Sequence, residues 1–372
     1  GGLAQLEAAL RFGADAVYLA ADRFGLRQRA ANFALDDVPA AAARAHAAGA
    51  KAYVTLNALM DADDLKALPA YLEALAAAGV DAFIVSDLGA LRLAQRYAPN
   101  VELHVSTQAS VCNAEAARVW HELGASRVVC AREMSVEDIA RLRAGAPREL
   151  ELEAFVHGAM CMSVSGRCLL SSYMAGRSGN RGECAQPCRW KYSLVEEHRP
   201  GQYMEIGESE DNGSYILNAN DLCTAPFIDL ICKAGVDSLK IEGRAKTFYY
   251  VASVVSAYRR ALDAFLEDPY NDSFELPDDV IEELNRTSHR HYSPGFYFGK
   301  EQAQQTPSHT YVRDWDFIGT VDSWENGVAH CTQRGKFAVG DSIEILQPDG
   351  SVVIPEVLRS YMGGTEVLVP KH

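Results

Sequence analysis

The sequence lacks any apolar run near the roughly 20 residues that a membrane-spanning helix requires, and no secretory signal pattern opens it. Basic residues are in deficit, because 35 Lys and Arg stand against 50 Asp and Glu and give a net charge of −15. Phosphate affinity comes from clustered Lys and Arg. This balance therefore argues against a protein that coats nucleic acid, allows a local basic site, and leaves no reason to expect a membrane partner.

Three motifs of common enzyme classes are also absent. There is no G-x-S-x-G elbow, no G-x-G-x-x-G turn and no H-E-x-x-H helix, since HELG (121–124) lacks the second His. A cysteine protease needs a base beside its thiol. His157, four residues before Cys161, is the one arrangement that keeps a Cys–His pair open.

Cysteine, by contrast, is plentiful. Nine cysteines cannot all pair within the chain, and a chain of 372 residues does not need disulfides to fold. We therefore expect a reducing, cytoplasmic compartment, in which clustered cysteines serve metal or redox chemistry. Four cysteines in apolar surroundings are predicted to be buried: Cys112, Cys130, Cys232 and Cys331.

Short apolar runs alternate with Ala-rich amphipathic stretches through most of the chain, which predicts parallel strands covered by helices. A (β/α)8 TIM-barrel-like domain is the favoured fold, and a doubly wound open sheet is the alternative. The eight predicted strands are 16–20, 51–57, 81–87, 102–108, 127–133, 152–158, 214–221 and 237–243.

Two further regions depart from this alternation. Residues 159–213 form a Cys-rich insertion after the sixth strand, and long loops of this kind are usually functional. Beyond a linker-like stretch, short strands such as DFIGTVDSW and GVAHCTQ alternate with turns. The chain is thus predicted to have a barrel-like domain over 1–310 and a small antiparallel β domain over 311–372.

Polar residues follow the predicted strands, at the edge of a barrel where active sites form. Helix capping is the simpler interpretation for Asp87 and, to a lesser degree, Asn57. His157 has a second interpretation as a core histidine. The residues that capping explains poorly are the candidate catalytic group: Glu133, His157, Glu242 and Arg244.

The insertion holds the thiols in the spacing C-x6-C (161, 168) and C-x3-C (184, 188), and Cys223 follows the seventh strand. These five cysteines come from loops at the same predicted edge. An iron–sulfur cluster, zinc and unmetallated thiols are all compatible with that spacing, although paired C-x2-4-C zinc knuckles are missing.

Positive charge accompanies the thiols. Residues 160–191 hold five basic residues against Glu183, a net charge of +4. These side chains could compensate an anionic cluster, hold a phosphate backbone or bind a carboxylate substrate. The predicted substrate-binding residues are Arg132, Arg167, Arg177, Arg181, Arg189 and Lys240.

Several separated motifs resemble, in order, the collagenase-like peptidase family U-32. They include GADAVYLAADRFGLRQRAANF, HVSTQASV, LEAFVHGAMCMSVSGRC, RGECAQPCRW and SLKIEGRAKTFYYV, and the likeness runs to about residue 300. Some members of that family resemble oxygen-independent hydroxylation proteins that act on tRNA, ribosomal RNA or ubiquinone precursors. RGECAQPCRW together with a β domain is most similar to the tRNA branch, which makes 5-hydroxyuridine at the wobble position.

The resemblance implies a [4Fe–4S] cluster held by Cys161, Cys168, Cys184 and Cys223, with Cys188 as an alternative ligand. Zinc remains the alternative metal. It implies tRNA as partner, and prephenate as a candidate carboxylate partner of the arginines. Three alternatives stay open: a collagenase-like metal- or thiol-dependent endopeptidase, a ubiquinone-biosynthesis-type hydroxylation protein, and a binding protein whose β domain recruits a partner.

Overall fold

The computed structural model describes most of the first 299 residues and parts of the C-terminal region. The described residues are 1–26, 31–161, 163–190, 194–195, 203–204, 220–299, 312, 314–325, 328–337, 343–348 and 350–353. The described α-helices are α1 Leu3–Arg11, α2 Val38–Ala47, α3 Ala62–Ala77, α4 Leu88–Tyr97, α5 Ala114–Glu122, α6 Val136–Gly145, α7 Leu170–Ala175, α8 Ile228–Lys233, α9 Phe248–Glu267 and α10 Asp278–Asn285.

The described strands fall into one large sheet and several short hairpins. They are β1 Ala16–Leu19, β2 Lys51–Leu56, β3 Ala82–Val85, β4 Glu102–Val105, β5 Arg127–Val129, β6 Glu151–Ala159, β7 Leu194–Val195, β8 Tyr203–Met204, β9 Asp221–Cys223, β10 Ser238–Ile241, β11 Tyr292–Ser293, β12 Gly319–Glu325, β13 Val328–Gln333, β14 Glu344–Gln347 and β15 Gly350–Val353.

The large sheet confirms the predicted α/β architecture. Strands β1 to β6 pair in chain order, each parallel to the next, and β10 pairs parallel to β6. Helices α2 to α6 connect successive strands, which is the alternation of a TIM-barrel-like fold. Between the outer strands β1 and β10, the Tyr18 hydroxyl donates a hydrogen bond to the Ile241 carbonyl at 3.1 Å.

The strand predicted over 214–221 lies mostly outside the described residues and is not tested by the structure. Residues 214–219 lie outside the described residues, and the strand that follows them, β9, runs antiparallel to β6. The short strand β11 then pairs parallel to β9 and was not predicted. The regular barrel alternation is therefore interrupted directly after the insertion.

Strand β6 is the longest of the large sheet, and its two halves have different partners. Its first three residues pair with β5 and its last three with β9, while β10 pairs with it from Glu153 to His157. Gly158 has φ +120°, and a Cβ there would lie 2.8 Å from the Glu242 Cβ and 3.0 Å from the Glu242 carbonyl oxygen. Only glycine lets the chain after β10 approach β6 this closely.

A buried ion network lies where β5, β6 and β10 meet. The carboxylate of Glu153 accepts hydrogen bonds from Lys240 at 2.5 Å and Arg127 at 3.0 Å. Burial alone would raise the pKa of Glu153, but the charges of Lys240 and Arg127 outweigh it and lower that pKa to about 2. Glu153 therefore stays ionised and joins three adjacent strands.

The C-terminal region carries the predicted antiparallel strands. Strand β12 pairs with β13, and β14 pairs with β15, each as an antiparallel hairpin. The last part of the predicted β domain, residues 354–372, lies outside the described residues. Within the described chain, no helix is long and apolar enough to cross a membrane.

Replacing Gly158 by Ala is expected to destabilise the protein by at least 2 kcal/mol more than replacing Gly49, on the order of what backbone strain plus a close contact costs. Gly49 also has a positive φ, +76°, but an added Cβ there meets nothing within 4 Å. Urea unfolding of both variants measures the difference. Equal losses would mean that the approach of Glu242 to β6 imposes no constraint.

Glu153→Gln is expected to make the unfolding free energy of the protein less sensitive to acid. Because the pKa of Glu153 is lowered to about 2 in the folded chain, its contribution to stability is complete above its unfolded pKa and is lost as the pH falls toward 2. The variant should lose about 3 kcal/mol or more at pH 7, since it leaves buried Lys240 without its carboxylate and Arg127 with Glu151 alone. Its unfolding free energy should then fall less than that of the wild type between pH 5 and pH 3, as measured by urea denaturation; parallel curves would contradict this role.

Candidate functional site at the carboxyl ends of the strands

Glu133 fastens the insertion to the barrel edge. One carboxylate oxygen accepts the Ser165 backbone N–H at 2.6 Å, and the other accepts the Ser165 hydroxyl at 2.9 Å. Ser165 is 2% exposed and has φ +46°, a left-handed conformation that costs a non-glycine residue about 1 kcal/mol or more. Glu133 thus fixes the loop between Cys161 and Cys168 in a single conformation. The sequence alone does not predict that Ser165 binds Glu133, because Ser165 belongs to no recognisable motif.

Arg132 and Glu242 meet beside the end of β6. The Arg132 guanidinium lies 3.9 Å from the Glu242 carboxylate, donates to the Ala159 carbonyl at 3.0 Å and stacks 3.7 Å above the Phe155 ring. Glu242 in turn donates its backbone N–H to the His157 carbonyl at 2.9 Å. The structure therefore brings Arg132 and Glu242 together beside this strand end, whereas the carboxylate of Glu133, the next residue in the chain, binds Ser165.

His157 lies on the same strand, but its ring is inside the protein. It is 1% exposed, and the rings of Tyr250, Tyr258 and Tyr292 surround it at centroid distances of 5.3 to 5.9 Å. Burial, with smaller contributions from Lys246 and His289, lowers the pKa of His157 to about 3. The imidazole is therefore neutral at physiological pH, and this placement fits the core-histidine interpretation.

Arg244 and Lys240 are buried near the barrel interior. Arg244 donates to the Thr55 hydroxyl at 3.2 Å and lies over the Tyr18 ring. The Lys240 ammonium is bound to Glu153 and lies 4.1 Å from the centroid of the same ring. Lys240 thus stabilises the sheet in this structure, whereas Arg244 joins β2 to the segment after β10.

Cys168 and Cys184 share a local geometry. The Cys168 sulfur accepts the backbone N–H of Leu170 at 3.3 Å, and the Cys184 sulfur accepts that of Gln186 at the same distance. In both cases the donor lies two residues after the cysteine. Backbone N–H groups that point at sulfur stabilise a thiolate and tune bound metal centres.

The other candidate cysteines differ in environment. Cys161 is exposed, directly after β6, and Cys188 is half-buried in the turn Pro187–Arg189. Cys223 is buried opposite His157, and desolvation raises its pKa to about 11. Nowhere in the described chain do three His, Cys, Asp or Glu side chains stand close enough together to hold a metal ion. Cys161, Cys168 and Cys184 are therefore not gathered into a metal-binding group in this structure, and Cys223 is the least accessible of the candidates.

The insertion is also docked onto the loop between β2 and α3. Arg181 binds the carboxylates of Asp64 at 2.9 Å and Asp61 at 3.2 Å, and it donates to the Leu59 carbonyl. The Leu59 backbone N–H donates in return to the Asn180 carbonyl at 2.9 Å. Arg181, predicted to bind substrate, is therefore engaged in holding the insertion in place.

The remaining predicted cations have separate positions. Arg177 donates to the Cys184 carbonyl at 3.4 Å and so supports the loop of that thiol. Arg167 is exposed. The side chain of Arg189 lies outside the described residues.

Two simpler predictions can be compared directly. The Asp87 carboxylate accepts the Ala90 N–H at 3.0 Å, which confirms Asp87 as the cap of α4. Cys130 is buried as predicted, whereas Cys112 is exposed, so its prediction is wrong. The reason is that VCNA precedes α5 in an irregular segment rather than lying within an apolar element.

These features define a parallel α/β barrel-type protein whose thiol-rich insertion is fastened across the carboxyl ends of its strands. The pattern described as peptidase family U32 matches residues 1–307, and that of the peptidase family U32 C-terminal domain matches residues 313–362. The chain belongs to peptidase family U32.

Several proteins are similar over nearly the whole chain. It is 37% identical to tRNA hydroxylation protein P1 of Bacillus subtilis, over 94% of this chain and 82% of that protein. It is 34% identical to tRNA hydroxylation protein P of Escherichia coli, over 95% and 86% respectively. A protein named collagenase from Porphyromonas gingivalis is 32% identical, over 96% and 87%.

Glu133→Ala is expected to loosen the insertion. It leaves the buried Ser165 N–H without its acceptor, which costs about 1–3 kcal/mol, and local opening should raise the alkylation rate of half-buried Cys168 about tenfold. Iodoacetamide labelling of metal-free protein, read by peptide mass spectrometry, measures this. Glu133→Gln keeps one acceptor oxygen and should fall between. Glu137→Ala, at an exposed carboxylate on α6, is the matched control, and equal rates in both alanine variants would contradict the role of Glu133.

Proposed function

We propose that this protein is an enzyme that takes part in hydroxylating a pyrimidine of tRNA. The observation that carries the proposal is similarity to two tRNA hydroxylation proteins over more than nine-tenths of the chain. The site chemistry supports it, since the strand ends carry thiols, a guanidinium and two carboxylates rather than a hydrolase motif. The wobble uridine is the proposed target, and a prephenate-dependent route is the proposed type.

We further propose that the insertion holds a [4Fe–4S] cluster on Cys161, Cys168 and Cys184, with Cys223 as the fourth ligand and Cys188 as the alternative. Two of these sulfurs already accept backbone N–H groups, which suits thiolate ligands. Such a cluster supplies electron transfer or radical-type activation. Zinc is the alternative metal, and iron analysis separates the two.

The protein's own groups would prepare the substrate rather than act as a hydrolytic base. Arg132, held by Phe155 and Glu242, offers a fixed guanidinium for a phosphate or a carboxylate such as that of prephenate. Glu133 holds the thiol loop beside it. Arg244 and the neutral His157 lie deeper, where they shape the interior and exclude water.

An endopeptidase is the second candidate, because one similar protein is named collagenase. A thiol peptidase needs an imidazole beside its nucleophile. Among the described residues, no histidine is hydrogen-bonded to the exposed Cys161 or Cys184, and the nearby His157 is enclosed by three tyrosines. This arrangement favours hydroxylation over thiol-dependent proteolysis.

The combined change Cys168→Ser and Cys184→Ser is expected to remove both iron and function, since it deletes two of the proposed ligands. Wild-type protein purified anaerobically should be brown and absorb near 400 nm, and the variant should be colourless. In a strain lacking this gene, mass analysis of tRNA nucleosides should show 5-hydroxyuridine derivatives restored by the wild type and not by the variant. Cys112→Ser, at an exposed cysteine outside the insertion, is the control.

Three results would count against the proposal. Iron-free, colourless wild-type protein from anaerobic cells would reject the cluster. Unchanged 5-hydroxyuridine derivatives after deletion, with no paralogue in the strain, would reject the RNA substrate. Cleavage of gelatin by metal-free protein would favour the endopeptidase instead.

A further inference from the structure

Exposed apolar side chains concentrate on the insertion. Of the fifteen large apolar side chains that are exposed among the described residues, five lie between positions 164 and 190. We call these five the insertion patch: Val164, Leu169, Tyr173, Met174 and Trp190. Exposed apolar side chains that are grouped on one segment mark an interaction site more often than scattered single residues do.

Part of the insertion patch lies on helix α7. Tyr173 donates its backbone N–H to the Leu169 carbonyl at 2.9 Å, so these two side chains lie one helical turn apart on one face of α7. Helix α7 contacts the turn Pro187–Arg189, which immediately precedes Trp190. The Tyr173 side chain is 86% exposed, and its ring is therefore free to be covered by a flat partner.

Charge distinguishes the patch from an ordinary apolar surface. Residues 163–190 contain four arginines and one glutamate, a net of +3, within a chain of net charge −15. Arg167 lies between Val164 and Leu169, is exposed, and makes no ion pair with another described residue. Exposed aromatic rings and an exposed guanidinium on one short segment are the combination that binds unpaired nucleotides, by stacking on a base and pairing with phosphate.

We propose that the insertion patch is the docking surface for an unpaired loop of RNA, with one base stacked on Tyr173 and a phosphate at Arg167. The inference rests on the proposed function for RNA as the substrate class and assigns the surface that receives it. Paired RNA hides its base faces, so the patch selects loops over duplex. Because Leu169 follows Cys168 directly, a base stacked on α7 lies close to the thiols.

The test compares binding of two labelled RNA probes by fluorescence anisotropy, using full-length protein purified anaerobically. One probe is a short hairpin with an unpaired pyrimidine-rich loop, and the other is a duplex of the same composition. Tyr173→Ala should weaken hairpin binding about tenfold, in line with the usual effect of removing one stacking ring. Tyr173→Phe should stay close to wild type, and duplex binding should not change.

Two further variants sharpen the assignment. Tyr270→Ala, at a tyrosine that is 92% exposed beyond α9, is the matched control and should bind the hairpin like wild type. Arg167→Ala should reduce the slope of log affinity against log salt by about 0.7, the value for one lost phosphate contact to a single strand.

Equal hairpin affinities for Tyr173→Ala and Tyr270→Ala would overturn the proposal. So would equal weakening of hairpin and duplex, or a patch variant that alters only self-association or binding of a protein partner. Nucleoside analysis of tRNA separates this failure from that of the proposed function. Normal hydroxylation by Tyr173→Ala together with unaffected hairpin binding rejects the surface alone. A selective loss of hairpin binding, with nucleosides that are unchanged even when the gene is deleted, upholds the surface and rejects hydroxylation.

Discussion

The arrangement of the site depends on the pairing of β6. On one edge this strand pairs with β5 and then, over its last three residues, with the antiparallel β9, while β10 pairs along its other edge as far as His157. Gly158 lets the chain after β10 stay close to that other edge at Glu242. Because the insertion begins at the last residue of β6, and the chain that follows it re-enters the sheet as β9 beside that same strand, β6 fixes both ends of the thiol-bearing segment.

Anchors of opposite charge then hold the middle of that segment. Glu133, after β5, receives both hydrogen-bond donors of Ser165, while Arg181 within the insertion binds the two aspartates that begin α3. The exposed pairs of Arg181 contribute little energy singly, so the buried Ser165 contact dominates. Together they constrain a glycine-rich loop that has few apolar contacts of its own. The loop can therefore expose thiols and aromatic rings without collapsing onto the barrel.

Much of the fold could be predicted because apolar periodicity is local. The six parallel strands β1 to β6 and the strand β10 were found from their composition, and the cap at Asp87 from its position. The antiparallel course of β9 was not predictable, because strand direction depends on where the insertion returns, not on the composition of Asp221–Cys223. The burial of Lys240 was missed for a similar reason, since its partner Glu153 lies on another strand.

The arginines of the insertion have different physical roles, so its net positive charge does not measure the charge that is available to a ligand. Arg181 binds two aspartates and Arg177 supports the Cys184 carbonyl, so neither charge is fully available to a ligand. Arg132, outside the insertion, is oriented by Phe155 and Glu242. Of the insertion's arginines whose side chains are described, Arg167 is the exposed one, and in sequence it lies between the exposed residues Val164 and Leu169. On a strongly acidic protein, a locally positive, aromatic surface attracts an anionic partner only at the point of contact. Such a surface is therefore selective for one part of a large RNA and has no general affinity for the RNA backbone.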